Sequence, residues 1–192
     1  SLLPGSIIHF SKVIDEADII VMQAEIPYET IKRIALLAKQ KGKKVLFNPA
    51  PACLIDEELM KAIDILVVNE LEAAFISGIE YTGNNLEEIA LSLLQAGARN
   101  AVITLGSQGV YMKNDKEIIQ LPGYKVNAID TIAAGDTFCG ALAVICAQRE
   151  IDRDALSFAN AAAAIAVTRS GAQPSIPTLT EVNAFIHPQI NF

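Results

Sequence analysis

The sequence predicts an α/β fold, a parallel sheet with helices on its faces. Three observations carry this. Short apolar runs rich in β-branched residues alternate with longer segments of helical periodicity. The connections are short, and a strand–helix–strand rhythm of this kind implies parallel pairing. No linker, internal repeat or low-complexity segment interrupts the 192 residues, so one domain over 1–192 is expected.

Asp18–Gln23 (DIIVMQ) is a continuous apolar run of the kind found in buried strands. Tyr28–Lys41 follows as a helix, with Ile31, Ile34, Ala35 and Ala38 on one face. Lys44–Asn48 (KVLFN) reads as a strand and stops at the turn Pro49-Ala50-Pro51. A short helix over Asp56–Ala62 leads to a third strand, Asp64–Asn69 (DILVVN). Glu70–Ser77 and Leu86–Ala96 read as helices, and Asn100–Thr104 (NAVIT) as a fourth strand. Gly109–Lys113 and Glu117–Leu121 suit a hairpin through Asn114-Asp115. The rest is mostly helical, over Gly135–Gln148, Asp152–Thr168 and Leu179–Ile186. That last long helix but one ends near Arg169-Ser170-Gly171, where Gly171 suits a C-cap.

Composition excludes several functions. Hydrophobic residues make up 52% of the chain, against disorder. The most apolar stretches, Ala161–Val167, Ile65–Val68 and Ala141–Cys146, are far shorter than a bilayer span. Acidic residues outnumber basic ones 22 to 15, for a net charge of −7, and no basic stripe forms. The four lysines of Lys39–Lys44 read as a solvated helix end, so nucleic-acid binding is not expected. Cys53, Cys139 and Cys146 have no metal spacing, and the last two share a helix face, as core residues do. The N-terminus lacks the charged-then-apolar pattern of a signal peptide, and a cytoplasmic setting is expected.

In open parallel sheets, ligands bind beyond the carboxyl ends of strands. This directs attention to Glu25, Asn48, Asn69, Glu72 and Thr104-Leu105-Gly106. The strongest local signal comes later, in Asp130-Thr131-Ile132-Ala133-Ala134-Gly135-Asp136-Thr137-Phe138. Small residues at the start of an apolar helix let a ligand approach the backbone, and the first N–H groups of a helix form an anion site. A transferring phosphoryl group suits such a site. Asp136 stands where it could take a proton from an incoming alcohol. The competing reading is an ordinary helix cap.

Thr104-Leu105-Gly106-Ser107-Gln108-Gly109 follows a strand and could wrap a nucleotide with its backbone. A plain connection is the alternative. No Walker A or GxGxxG pattern is present, which disfavours a dinucleotide-binding domain. Asn69 and Glu72 could hold the water shell of Mg²⁺, although an N-cap Asn with Glu three residues on is equally the pattern of a capping box. Ala161–Ala164 read as close helix packing. His9 and His187 have no partner in sequence and receive no catalytic role.

Together these residues resemble the ribokinase (carbohydrate kinase) family. DTIAAGDTF is similar to that family's C-terminal signature, and AAAAIAVTRSGAQPSIP over Ala161–Pro177 is similar to ribokinases within it. The order of Glu25, Asn48–Pro51, Asn69–Glu72 and Thr104–Gly109 also matches. The resemblance implies a three-layer α/β/α, Rossmann-like fold and ATP-dependent phosphorylation of D-ribose at its 5-hydroxyl. It implies Asp136 as catalytic base, contacting the sugar, with Ala133, Ala134 and Gly135 as the anion hole. Nucleotide contacts would come from Asn69, Thr104, Leu105, Gly106, Ser107, Gln108, Gly109, Gly135, Asp136 and Asn160, and a sugar contact from Glu25. Asn69 and Glu72 would organise Mg²⁺. An activating K⁺ would be held by Asp130, Ile132, Ala166, Arg169, Gly171 and Ser175, several of them through backbone carbonyls.

The expected partners are ATP and a pentose, with the full-length enzyme a homodimer. The resemblance also implies an N-terminal part that this chain lacks, bearing the first strands, much of the sugar site and a β-lid. The chain starting at Ser1-Leu2-Leu3-Pro4 is therefore expected to be a fragment with little or no kinase activity alone. Another sugar or nucleoside as acceptor, or a non-catalytic nucleotide-binding fragment, are the alternatives.

Overall fold

A computed structural model describes residues 11–187. His9 and the segment Ser1–Pro4 lie outside the described residues. The chain divides into two compact units, Ser1–Leu105 with Tyr111–Ile119, and Gly106–Val110 with Gln120–Phe192.

The first unit is built on a sheet whose six strands follow chain order, β1 (Ile19–Gln23), β2 (Lys44–Asn48), β3 (Ile65–Asn69), β4 (Ala101–Thr104), β5 (Val110–Lys113) and β6 (Ile118–Leu121). The first four run parallel. Each starts within one residue of its sequence-predicted position, because the apolar runs are unbroken and bounded by Gly, Pro or charge. β3 is buried at Ile65, Leu66, Val67 and Val68 in succession, the pattern of a central parallel strand covered on both faces. β6 alternates instead, with Ile119 buried between exposed Ile118 and Gln120. Asn114 N–H bonds to Glu117 O and closes the β5–β6 hairpin.

Ahead of β1 stands α1 (Ser11–Glu16). The crossovers are α2 (Tyr28–Gln40), α3 (Glu57–Ala62), and the pair α4 (Glu70–Ser77) and α5 (Leu86–Gln95). With strand order equal to chain order, crossovers of one hand bring these helices to one face of the sheet. The core there is Ile31, Ala35 and Ala38 of α2, Leu59 and Met60 of α3, Ala73 of α4, and Ile89, Ala90 and Leu93 of α5, packed on Val45, Phe47, Leu66, Val68 and Ile103. Each fully buried Val, Ile, Leu, Met or Phe side chain among these contributes about 1.5–3 kcal/mol. Asp56 caps α3 by accepting the Leu59 N–H at 2.9 Å, and so stands just outside the helix it was expected to begin.

The amino-terminal edge of the sheet is closed by a buried polar cluster. Asp64 accepts the Val45 N–H at 3.0 Å and pairs with Lys39 and Arg99. Asn100 donates to the Asp64 carbonyl at 2.8 Å and accepts from Asn114 at 3.0 Å. Lys39 thus has a structural partner within the lysine-rich helix end.

The second unit contains α6 (Ala134–Cys146), α7 (Arg153–Ala166) and α8 (Leu179–Ile186). Ala155, Ala159, Ala161, Ala162 and Ala166 of α7 are buried, as close helix packing requires. Cys139 and Cys146 are buried on α6, as their spacing predicts. Ala161, Ala162, Ile165 and Val182 form a core with Tyr124, Phe158 and Phe185 around them. The Tyr124 and Phe185 rings lie 5.0 Å apart at 58°, and the Tyr124 hydroxyl meets Ser157 Oγ at 3.1 Å. One expectation needs correcting. α7 ends at Ala166 with Val167 as its C-cap in right-handed conformation, so Gly171 does not cap it. Gly171 (φ +90°) turns a loop further on, and its N–H serves Asp130.

Candidate active site

In the first unit, polar residues stand at the carboxyl ends of four adjacent strands. Gln23 is in register with Asn48, and Asn69 with Thr104. Asn48 accepts from the Gln23 amide at 3.3 Å and donates to Val67 O at 2.9 Å, joining the ends of β1, β2 and β3. Thr104 donates to Val68 O at 3.3 Å. Glu25 is exposed in the turn after β1.

Asn69 is the N-cap of α4. Its side-chain oxygen accepts from Leu71 N–H at 3.0 Å and Glu72 N–H at 2.8 Å. Glu72 Oε2 returns the bond to the Asn69 N–H at 2.9 Å, completing a capping box. The capping pattern seen in sequence is therefore real. The box takes up the Asn69 oxygen with two N–H groups and uses one Glu72 oxygen, Oε2, which fixes the Glu72 carboxylate at the strand end. A carboxylate fixed in this way could accept from the water shell of Mg²⁺.

In the second unit, Gly106–Gln108 form one turn of 3-10 helix, with the Gly109 N–H donating to Gly106 O at 3.1 Å. Gly106, Ser107 and Gln108 are exposed and Gly109 is buried. The reason for Gly109 is steric. A Cβ there would lie 2.1 Å from Leu121 O and 2.5 Å from Gly123 N. Gly123, passed over in sequence, is locked in the same way, since its Cβ would lie 2.1 Å from Ser107 O. Asn160 is buried on α7 and donates to Pro122 O at 3.0 Å.

The start of α6 is unlike the start of α4. Its N-cap, Ala133, adopts φ 61°, ψ 8°, left-handed geometry that disfavours any residue with a Cβ. It offers no side-chain cap. The Ala134 N–H reaches Thr131 O at 3.3 Å. Gly135 and Asp136 are exposed, and a Cβ on Gly135 would meet nothing within 4 Å. Asp136 is thus an exposed acidic residue in the first turn of the helix, beside a glycine at which backbone approach is open. One residue on, the buried Thr137 hydroxyl has no hydrogen-bond partner among the described residues.

The segment leading into this turn is tied down at Asp130. Its carboxylate accepts from Ile132 N–H at 2.9 Å and Gly171 N–H at 3.0 Å. These two bonds, the Ile132 one foremost, hold its carboxyl below the usual carboxylate range. The N–H groups of Ile129 and Asp130 both donate to Val167 O, at 2.7 and 3.2 Å. Asp130, Ile132, Ala166, Arg169, Gly171 and Ser175 thus belong to two segments bound to each other within one unit. Their donors toward a cation would all be oxygen, from carboxylate, hydroxyl or backbone carbonyl. Arg169 pairs with Glu181, and Ser175 Oγ donates to Ala172 O at 2.6 Å. Among the described residues, no group of three or more His, Cys, Asp or Glu is placed to hold a metal, and no helix is long and apolar enough to cross a membrane.

Comparison with known proteins bears on the family and the fold. The pfkB family carbohydrate kinase model matches residues 3–179. The chain is 40% identical to a ribokinase of Staphylococcus aureus (strain COL) over 185 residues, covering 95% of this chain and 61% of that protein. It superimposes on a ribokinase of Thermotoga maritima with a TM-score of 0.82 and 42% identity, covering 92% of this chain and 59% of that one. Arabidopsis thaliana ribokinase, solved with ribose and ATP, gives a TM-score of 0.88 at 28% identity, over 93% of this chain and 59% of that one. The chain thus spans less than two thirds of the length of the relatives it matches.

Proposed function

The chain belongs to the pfkB family of carbohydrate kinases, and from that premise we propose that it carries the phosphoryl-transfer residues of an ATP-dependent sugar kinase acting on the 5-hydroxyl of D-ribose. The observation that supports this most is the start of α6. Ala133 holds a left-handed turn, and Asp136 stands exposed in the first helical turn behind a glycine.

In the proposed reaction Asp136 accepts the proton of the sugar hydroxyl as that oxygen attacks the γ-phosphorus. The bond from the γ-phosphorus to the bridging oxygen breaks and ADP leaves. The backbone at Ala133, Ala134, Gly135 and Asp136 faces the negative charge on the transferring phosphoryl oxygens, and a prearranged set of N–H groups stabilises it without reorganisation. Thr104, Leu105, Gly106, Ser107, Gln108 and Gly109, with Asn69 and Asn160, serve the nucleotide. Glu25 serves the sugar. Mg²⁺, when bound, neutralises phosphate charge, and Asn69 and Glu72 are the residues to hold it through its waters. K⁺ would bind at the joined segments of Asp130 and Gly171, where it would reinforce the turn that leads to Ala133.

Calorimetry of this chain with ATP and Mg²⁺, with and without ribose, tests the nucleotide assignment. Heat of ATP binding is expected, reduced in an Asn69→Ala variant and in a Gly106→Val variant. No ATP binding at millimolar nucleotide would sink the reading.

A further inference from the structure

We infer that Asn160 is a positioning residue, which holds the loop Gly106–Gly109 in shape through Pro122 from a helix that the loop does not belong to. The inference deepens the proposed function in one respect, that this loop serves the nucleotide.

Asn160 is the one amide in the run Phe158-Ala159-Asn160-Ala161-Ala162-Ala163-Ala164, a stretch otherwise suited to close packing. Its side chain is only 8% exposed. Asparagine is a poor helix interior residue, and a buried amide without a partner is costly, so its place here needs a partner. That partner is the Pro122 carbonyl at 3.0 Å. The bond pins the segment Leu121–Gly123 against α7.

The same segment is in backbone contact with the loop. Gly109 and Gly123 exclude each other's side chains, with would-be Cβ distances of 2.1 Å to Leu121 O and 2.1 Å to Ser107 O. No side chain stands between the two strands of backbone to absorb movement. A shift of Pro122 therefore displaces Ser107 and Gly109 directly. The chain of contact runs from Asn160 Nδ2 to Pro122 O, then through Gly123 to Ser107.

Amide hydrogen exchange on this chain, combined with ATP calorimetry, tests this. Asn160→Asp keeps the side-chain volume and removes the donor. Exchange at Ser107, Gln108, Gly109 and Gly123 should then rise by roughly tenfold, the loss of one hydrogen bond. ATP affinity should fall by a similar factor. Gly123→Ala should loosen the same amides, and Asn160→Ala, which removes the donor without adding a carboxyl, decides the matter should the Asp variant fail to fold. Ala159→Gly, which weakens α7 without touching Pro122, should leave loop exchange at its wild-type value. Unchanged loop exchange on loss of the Asn160 donor would overturn the inference. So would weaker ATP binding with unchanged exchange, which would make Asn160 a direct nucleotide contact. Equal loosening by Ala159→Gly would reduce it to general stability. A wild-type chain that binds no ATP would remove the proposed function, while the exchange data would still decide the tie.

Discussion

The two helix starts, of α4 and α6, solve the same physical problem in opposite ways. At α4 the exposed N–H groups are answered from within, by Asn69 and Glu72 in a reciprocal box. At α6 the N-cap residue is an alanine, which has no side chain to answer them, and it stands in left-handed geometry. α8 sides with α4, since Thr178 and Glu181 form a second capping box. A helix start whose donors are satisfied locally is a structural joint. One left without a side-chain cap, and shaped by small residues, is suited to an incoming anion.

The largest effect that would break this contrast is at Asp136. In the enzyme of full relative length, Asp136→Asn should lower turnover by roughly 100-fold to 10,000-fold, the usual contribution of a general base. ATP affinity should stay near wild type, as calorimetry would show. Near-normal turnover would return α6 to the class of ordinary helices. At α4 the expected loss is one of stability instead. Asn69→Ala removes two side-chain bonds and should cost about 1 kcal/mol in urea unfolding. No cost would mean the box is ornamental.

Acid titration separates the capped helices by a different route. The Arg169 guanidinium, with the Thr178 N–H and hydroxyl, pulls Glu181 down from 4.5 to about 2. A depressed folded value means the contribution is complete above the unfolded value and is lost as pH falls from about 4.5 toward about 2. Glu181→Gln should flatten that part of the stability–pH curve, and an unchanged slope would place the acid sensitivity elsewhere. The smallest effect is at Ala133. Ala133→Gly relieves the left-handed strain but frees the unfolded chain, so its stability should stay within about 1 kcal/mol of wild type. A β-branched Ala133→Val should cost more, by thermal unfolding, if the turn is as tight as its φ of 61° indicates.

Much of the first unit is legible because its strands are short, apolar through their middles and bounded by polar residues or breakers. Lys44–Asn48, Glu70–Ser77 and Leu179–Ile186 were delimited to the residue. α1 was not seen, since its six residues bury only Ile14 and carry no periodic stripe. The limit of α7 was missed because the loop after Val167 is set by Asp130, far away in sequence. Asp136 and the Ala133–Gly135 turn could be named from local sequence. The strain at Ala133 could not, nor could the clasp of Gly109 on Gly123, because both depend on which backbone segments meet. Asn69 and Glu72 show the reverse case. Their spacing announced a cap, and the cap is what positions the carboxylate.

The strand order has a consequence for how the molecule comes into being. Each of the six strands neighbours its predecessor in the chain. A newly synthesised strand thus finds its template already at the edge of the growing sheet, with only one crossover to close. Pairings of short sequence separation favour rapid folding. Nothing in the described sheet has to wait for a distant segment before the next strand can be added.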